Sequence, residues 1–305
     1  MKGKKLLKSF RKNWQIYAIL LLPMAYIFIF SYMPLYGIQV AFKNFIPSRG
    51  ITGSPWVGLQ HFRDFFGTYF WKQLLLNTFT LNIFSLFWSF PVPIILAMML
   101  NQLNSTRYRK FIQTVIYTPN FISVVVMVGM LYIFLSPNTG LINKAISALG
   151  GTPIFFLGRS DWFRTIYIAS GIWQGAGFGT IIYFATLSSV SPELYEAATV
   201  DGANKRHKIW HIDLPALLPV VIMFLVMNTG RLLTSEFAKT LLLQQPSNLS
   251  VSDTIGVYIY KYGLAGGQFS YTAAIGLMLN VVNFIILFGV NKIAQHVGEG
   301  QSSLW

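Results

Sequence analysis

Cysteine is absent from the 305 residues, which excludes disulfides, thiol catalysis and thiolate-bound metals. Charge is scarce as well: 10% of residues are charged, where a soluble domain carries about 25%. Acids are scarcest, nine in the whole chain, and none falls inside the long apolar segments. With four scattered histidines and so few acids, no catalytic constellation forms, which speaks against a membrane enzyme. No G-x-x-x-x-G-K-(S/T) sequence occurs, so the chain cannot cradle nucleotide phosphates by that route. There is no internal repeat and no low-complexity tract.

What remains is 54% hydrophobic, with a mean hydropathy of +0.53. That composition describes an all-α polytopic membrane protein. A hydrocarbon core about 30 Å thick needs about 20 apolar residues in helix, and helix satisfies backbone groups that lipid cannot. Six segments meet this, at 15–36, 74–100, 111–135, 164–187, 214–234 and 272–291. The first follows a basic leader, yet bulky Ser31-Tyr32-Met33-Pro34 replaces a small-residue cleavage site, so an uncleaved span is expected.

The net charge of +14 reads as cationic cytoplasmic loops rather than a nucleic-acid surface. Residues 1–15, 101–110, 188–213 and 292–305 hold 13 Lys and Arg in 65 positions; residues 37–73, 136–163 and 235–271 hold 8 in 102. The first set is expected inside, with both termini. The sequence divides into a basic N-terminus (1–14), a first span with its outer loop (15–73), a core domain (74–291) and a C-terminal tail (292–305). The outer loops are long and rich in aromatics, Gly and Pro. Trp56, Tyr69, Trp71 and Trp162 suit interfacial anchoring or contact with an external partner.

Residues 191–215, SPELYEAATVDGANKRHKIWHIDLP, form a polar insert between two apolar runs. Ser191-Pro192 is a helix start, with Ser as cap and Pro at the first helical position. Glu193 and Glu196 suit the positive end of the helix dipole. Gly202 can end the helix in the left-handed conformation. A second short helix, Ala203–Trp210, follows, and Leu214-Pro215 opens the next span. The product is a helix–Gly–helix elbow. The plain alternative is an amphipathic helix lying on lipid headgroups, which the Lys205-Arg206-His207-Lys208 run would suit. His207 and His211 share a helix face, but with no third ligand nearby a solvated loop is the expected reading.

Glu196-Ala197-Ala198, Gly202 and Leu214-Pro215, at this spacing, resemble the cytoplasmic coupling loop of the membrane subunit of binding-protein-dependent ABC importers, the MalF/MalG type. Dispersed residues narrow the resemblance to LplB/YtePQ-like oligosaccharide and polysaccharide permeases. These are Pro34-Leu35-Tyr36-Gly37, Ala41-Phe42, Trp56-Val57-Gly58-Leu59, Asn77-Thr78, Tyr117-Thr118-Pro119-Asn120-Phe121-Ile122-Ser123, Leu135 to Asn143, and Ile172-Trp173-Gln174. One departure is Gln60-His61-Phe62, where such permeases more often carry an acid or Asn before the Phe.

The resemblance implies the transmembrane domain of a type I importer. It implies a second homologous permease, two ATPase subunits that hold ATP and Mg, and an extracytoplasmic solute-binding protein that delivers an oligosaccharide. No cofactor would be bound by this chain, which would sit in the bacterial cytoplasmic membrane. Glu196, Ala197, Ala198, Asp201, Gly202, Ala203, Leu214 and Pro215 would form the ATPase-coupling set, with Glu196 meeting a base of the ATPase.

Polar side chains inside spans are costly and face a cavity or one another. Asn82, Ser85, Gln174, Asn228, Arg231, Asn280 and Asn283 are therefore pathway candidates, with Trp173, Phe178 and Tyr183 as aromatic faces for a glycan. Interhelical hydrogen bonding is the alternative for each, and Arg231 could instead snorkel to the outer interface. Gly171, Gly175 and Gly179, with Gly177 between them, make a small-residue stripe that suits close packing or a hinge. A secondary transporter would want a carboxylate within the spans, and the spans have none. Lactose-sized, xylan-derived, pectin-derived and host-glycan fragments all suit the same six spans.

Overall fold

The structure is a computed structural model that describes residues 12–234 and 236–297. Most of the basic N-terminal segment and the end of the C-terminal tail lie outside those residues. Helix dominates, and the β-structure among the described residues is one isolated bridge, Lys43 to Trp56.

In chain order the principal helices are α1 (Trp14–Phe42), α2 (Gln60–Gly67), α3 (Trp71–Asn101), α4 (Thr106–Phe121), α5 (Val124–Phe134), α6 (Leu141–Ala148) and α7 (Ser160–Ser188). They continue with α8 (Pro192–Val200), α9 (Lys205–Thr229), α10 (Phe237–Leu243) and α11 (Phe269–His296). Among the described residues α1, α3, α9 and α11 are long and apolar enough to cross a membrane. Helix α7 has 29 residues, about 43 Å at 1.5 Å per residue. It is less apolar because Gly, Ser, Thr and Gln interrupt its aliphatic run.

The third expected span differs from the sequence reading. Helices α4 and α5 form a pair bent by 97°. Pro119 brings no N–H to the ladder, Ile122 is extended, and Ser123 starts a new helix by accepting from Val126 N–H at 3.3 Å. The Gln174 amide donates to the Ile122 carbonyl at 2.7 Å, satisfying an acceptor that the break leaves out of the helix.

Two compact units emerge: residues to Thr68 with Tyr262–Leu277, and Tyr69–Lys261 with residues from Met278. In the first, α1 buries none of its apolar window, as expected of a helix that meets lipid or another subunit. The loop after α1 is knotted around Lys43, which is buried. Its ammonium donates to the Ile51 carbonyl at 2.8 Å and lies 5.1 Å from the Trp56 ring. Val57 and Gly58 N–H groups both reach the Phe42 carbonyl, and Gly58 holds φ +60°. His61, at the position that departs from the family pattern, sits 3.1 Å from the Lys43 carbonyl through Nε2, so the departure has a local job in the loop.

In the second unit α7 is the central helix. Its N-terminal half packs Phe163, Ile166 and Tyr167 against Leu81 of α3, Met127 of α5 and Leu243 of α10. Its C-terminal half packs Tyr183 and Leu187 against Ala97 of α3 and Leu217 of α9. The loops of this unit are braced by buried amides. Asn143 donates to the Ser136 and Ile154 carbonyls at 3.0 Å and accepts from Ile154 N–H at 2.7 Å. Asn77 donates to the Ser250 carbonyl at 2.9 Å, while Thr78 accepts from Ile255 N–H at 2.9 Å. Trp162 packs edge-on to Phe156, whereas Tyr69 is 99% exposed. The glycines of α7 are unequal. A Cβ at Gly177 would lie 1.9 Å from the Ile116 carbonyl oxygen of α4, one at Gly179 would lie 3.1 Å from Pro93, and one at Gly175 would meet nothing within 4 Å. A Cβ at Gly171 would lie 3.0 Å from the Lys239 ammonium, so packing is tightest at Gly177, close at Gly171 and Gly179, and open at Gly175.

Candidate functional site

The 191–215 segment folds as an elbow. Ser191 caps α8, its hydroxyl accepting from Glu193 N–H at 3.3 Å, with Pro192 in the first turn. At the other end Gly202 takes φ +78°. Ala203 N–H then donates to the Ala198 carbonyl at 2.8 Å, and Gly202 N–H to the Thr199 carbonyl at 3.1 Å. This pair of bonds is the Schellman closure. Asn204 caps the next helix through His207 N–H at 3.0 Å. Lys208 reaches back to the Thr199 hydroxyl at 2.8 Å, which fixes the angle between α8 and the start of α9.

No residue of α8 is buried. Glu196, Ala197, Asp201 and Gly202 are exposed, and Val200 and Trp210 are 88% and 67% exposed. Ala198, Asp201, Gly202, Ala203 and His207 line a concavity of about 280 Å³ in the crook of the elbow. The His207 and His211 rings are 6.2 Å apart, and among the described residues no cluster of three metal-ligating side chains exists. Leu214 and Pro215 begin the apolar part of α9, Leu214 half-buried and Pro215 exposed.

Where the elbow joins the spans, sequence reading missed a second feature. Asp213 closes a widened, π-helical turn over Ile209–Asp213 and is fully buried. One carboxylate oxygen accepts from the Tyr195 hydroxyl at 2.6 Å and from the Asn101 amide at 3.2 Å; the other accepts from the Gln102 amide at 2.8 Å. Burial, then the bond to Asp213, push the Tyr195 phenol up to about 12. Tyr195 therefore remains a donor throughout the physiological range. A carboxylate at the mouth of an apolar run is the one signal in the sequence that marks this site.

A second site is a cavity of about 870 Å³ walled by α3, α7, α9 and the turn after α9. Six of the pathway candidates line it: Asn82, Ser85, Phe178, Tyr183, Asn228 and Arg231. Of these, Ser85 has a buried hydroxyl with no hydrogen-bond partner. Thr234 and Glu236, which sequence reading assigned no role, complete its polar rim. The Asn82 amide donates to the Leu232 carbonyl at 2.9 Å and so holds the turn that carries Arg231.

The other four candidates are not part of this wall. Gln174 braces the α4–α5 break, as described. Asn283 accepts from Leu233 N–H at 3.0 Å and donates to the Thr234 hydroxyl at 3.0 Å, fixing the same turn from α11. Trp173 is 47% exposed elsewhere on α7, and Asn280 is exposed on α11.

With this geometry in hand, the relatives are informative. Residues 89–299 match the family model described as "Binding-protein-dependent transport system inner membrane component", a stretch that takes in the elbow. Protein LplB of Bacillus subtilis (strain 168) is 38% identical over 96% of this chain and 92% of its own length. The polygalacturonan/rhamnogalacturonan transport system permease protein YteP of the same organism is 40% identical over 98% of this chain and 93% of its own. Among solved structures, a chain of a bacterial ABC transporter involved in import of the acidic polysaccharide alginate superposes with a TM-score of 0.88. It is 38% identical, covering 96% of this chain and 99% of that one. A chain of the alginate transporter in complex with an alginate pentasaccharide-bound periplasmic protein gives 0.88 at 37% identity. These matches extend over nearly the whole chain, and the chain belongs to the family of binding-protein-dependent transport system inner membrane components, the membrane-spanning permeases of ABC importers.

Proposed function

We propose that this permease works as one of two membrane-spanning subunits in an ATP-driven importer of oligosaccharides or glycan fragments. The elbow faces the cytoplasm and docks on an ATPase subunit. The observation that carries this reading is the α8 elbow: a capped, Schellman-closed helix with no buried residue, whose exposed face bears Glu196, Ala197 and Val200. A soluble partner is what such a face lacks. Glu196 and Asp201 pair with its Arg or Lys, and the concavity lined by Ala198 and Ala203 admits one of its side chains. ATP and Mg are held by that partner. The excess of Lys and Arg in the 188–213 and 101–110 loops supports a cytoplasmic elbow and cytoplasmic termini.

A second, homologous permease completes the pathway, and an extracytoplasmic binding protein delivers the solute. The relatives named for polygalacturonan, rhamnogalacturonan and alginate support a glycan, and the cavity suits one. It offers amides at Asn82 and Asn228, a guanidinium at Arg231, hydroxyls at Ser85 and Thr234, and an aromatic face at Phe178. Sugar hydroxyls are recognised by such groups, and sugar ring faces by aromatics. Translocation then follows from alternating access, with partner closure driving the elbow.

The reading is tested by Glu196→Ala in the complete transporter, reconstituted with its binding protein. Loss of one partner of a desolvated charge pair costs about 2–5 kcal/mol, so ATP-driven uptake falls at least about tenfold while the chain still inserts. Uptake and ATPase stimulation at the unsubstituted level would overturn it.

A further inference from the structure

We propose that Asp213 is the positioning residue through which movement of the elbow reaches the cavity, by holding α8 to the inner ends of two cavity-wall helices. The inference rests on the coupling reading of the elbow. The buried carboxylate joins three segments: Tyr195 from α8, Asn101 and Gln102 from the end of α3, and the start of the apolar part of α9, which carries Asp213 itself. Tyr195 also touches Asn101 directly, 3.2 Å from its amide. None of these three partners carries a charge. A fully buried carboxylate held by neutral dipoles is costly to leave half-satisfied, so the segments move together or the knot breaks.

The two helices it grips are those that line the cavity. On α3, Pro93 lies eight residues before Asn101, about 12 Å along the axis, and Ser85, Ser89 and Asn82 lie beyond it on the cavity wall. On α9, Phe224 and Asn228 line the same cavity, the latter about 22 Å from Asp213. Each helix acts as a rod with the knot at one end and the pathway at the other. The exposed outer face of α8 receives the push, and the inner face, through Tyr195, passes it on.

The test uses the complete reconstituted transporter and reads solute imported per ATP hydrolysed. A merely structural residue would lower the amount of assembled transporter without changing this ratio. Asp213→Asn is expected to lower the ratio about tenfold, as loss of hydrogen bonds to a charged group implies, and Tyr195→Phe, which keeps the ring and removes one donor, about threefold. Asp213→Asn combined with Asn101→Asp moves the carboxylate across the knot with its donors still in reach, and is expected to restore the ratio to within about twofold. An unchanged ratio in Tyr195→Phe and Asp213→Asn overturns the proposal, as does failure of the exchange to rescue an Asp213→Asn defect. Should Asp213→Asn not assemble, Tyr195→Phe alone decides it. Glu196→Ala is run alongside. If it uncouples and the Asp213 and Tyr195 variants do not, only the knot fails; if it leaves uptake intact, the coupling reading itself fails.

Discussion

Gly202→Val is expected to reduce ATP-driven uptake at least about tenfold, with Gly202→Ala intermediate and Gly202→Asn close to the unsubstituted protein. The reason is conformational. Gly202 stands at φ +78°, and no atom lies within 4 Å of where its Cβ would be, so the added side chain meets no clash. The left-handed backbone costs an ordinary L-residue about 1–2 kcal/mol and a β-branched residue more, whereas Asn tolerates it. Losing that conformation breaks the Ala203–Ala198 and Gly202–Thr199 bonds and reopens the elbow angle that Lys208 and Thr199 hold. Transport assays on the three variants, normalised to membrane level, check the order. Equal uptake in Val and Asn variants would show that the elbow angle does not matter.

Gly177→Ala is expected to be the most damaging single-methyl change in the spans. Its Cβ would lie 1.9 Å from the Ile116 carbonyl oxygen, a backbone atom that cannot rotate away, so α4 and α7 must part. Overpacking of this kind costs about 1–3 kcal/mol, a fall of about 2–5 °C in thermal midpoint for a protein of this size. Gly175→Ala, two residues away with open space around it, should stay within about 0.5 kcal/mol. Thermal unfolding of the two purified variants in detergent compares them directly. Equal midpoints would mean that α4 and α7 do not pack at Gly177.

These cases show what a linear reading reaches. The elbow was legible because its punctuation is local: Ser191-Pro192 starts a helix and Gly202 ends it, although the separate short helix expected at Ala203–Trp210 instead runs on into the span as α9, without a break at Leu214-Pro215. Four cavity residues, Asn82, Ser85, Asn228 and Arg231, were legible because a polar side chain in an apolar run must face something polar. Periodicity could not separate these from Gln174 and Asn283, whose amides brace backbone at a helix break and at a turn. The α4–α5 bend hid inside one apolar stretch, because Pro119 and Ser123 change hydropathy little while redirecting the chain. Of the Asp213 knot only the acid at the start of an apolar run was legible. It joins positions 101, 102, 195 and 213, and their meeting depends on how three segments pack.

The central claim, that the elbow is the cytoplasmic docking lever, is tested most directly by thiol labelling. The absence of cysteine makes Ala198→Cys the sole thiol of this chain. With a membrane-impermeant maleimide, the account predicts labelling in inside-out but not right-side-out vesicles, and protection when the ATPase subunits are bound. Labelling from the outer face, or labelling at the same rate with and without the bound ATPase, would contradict it.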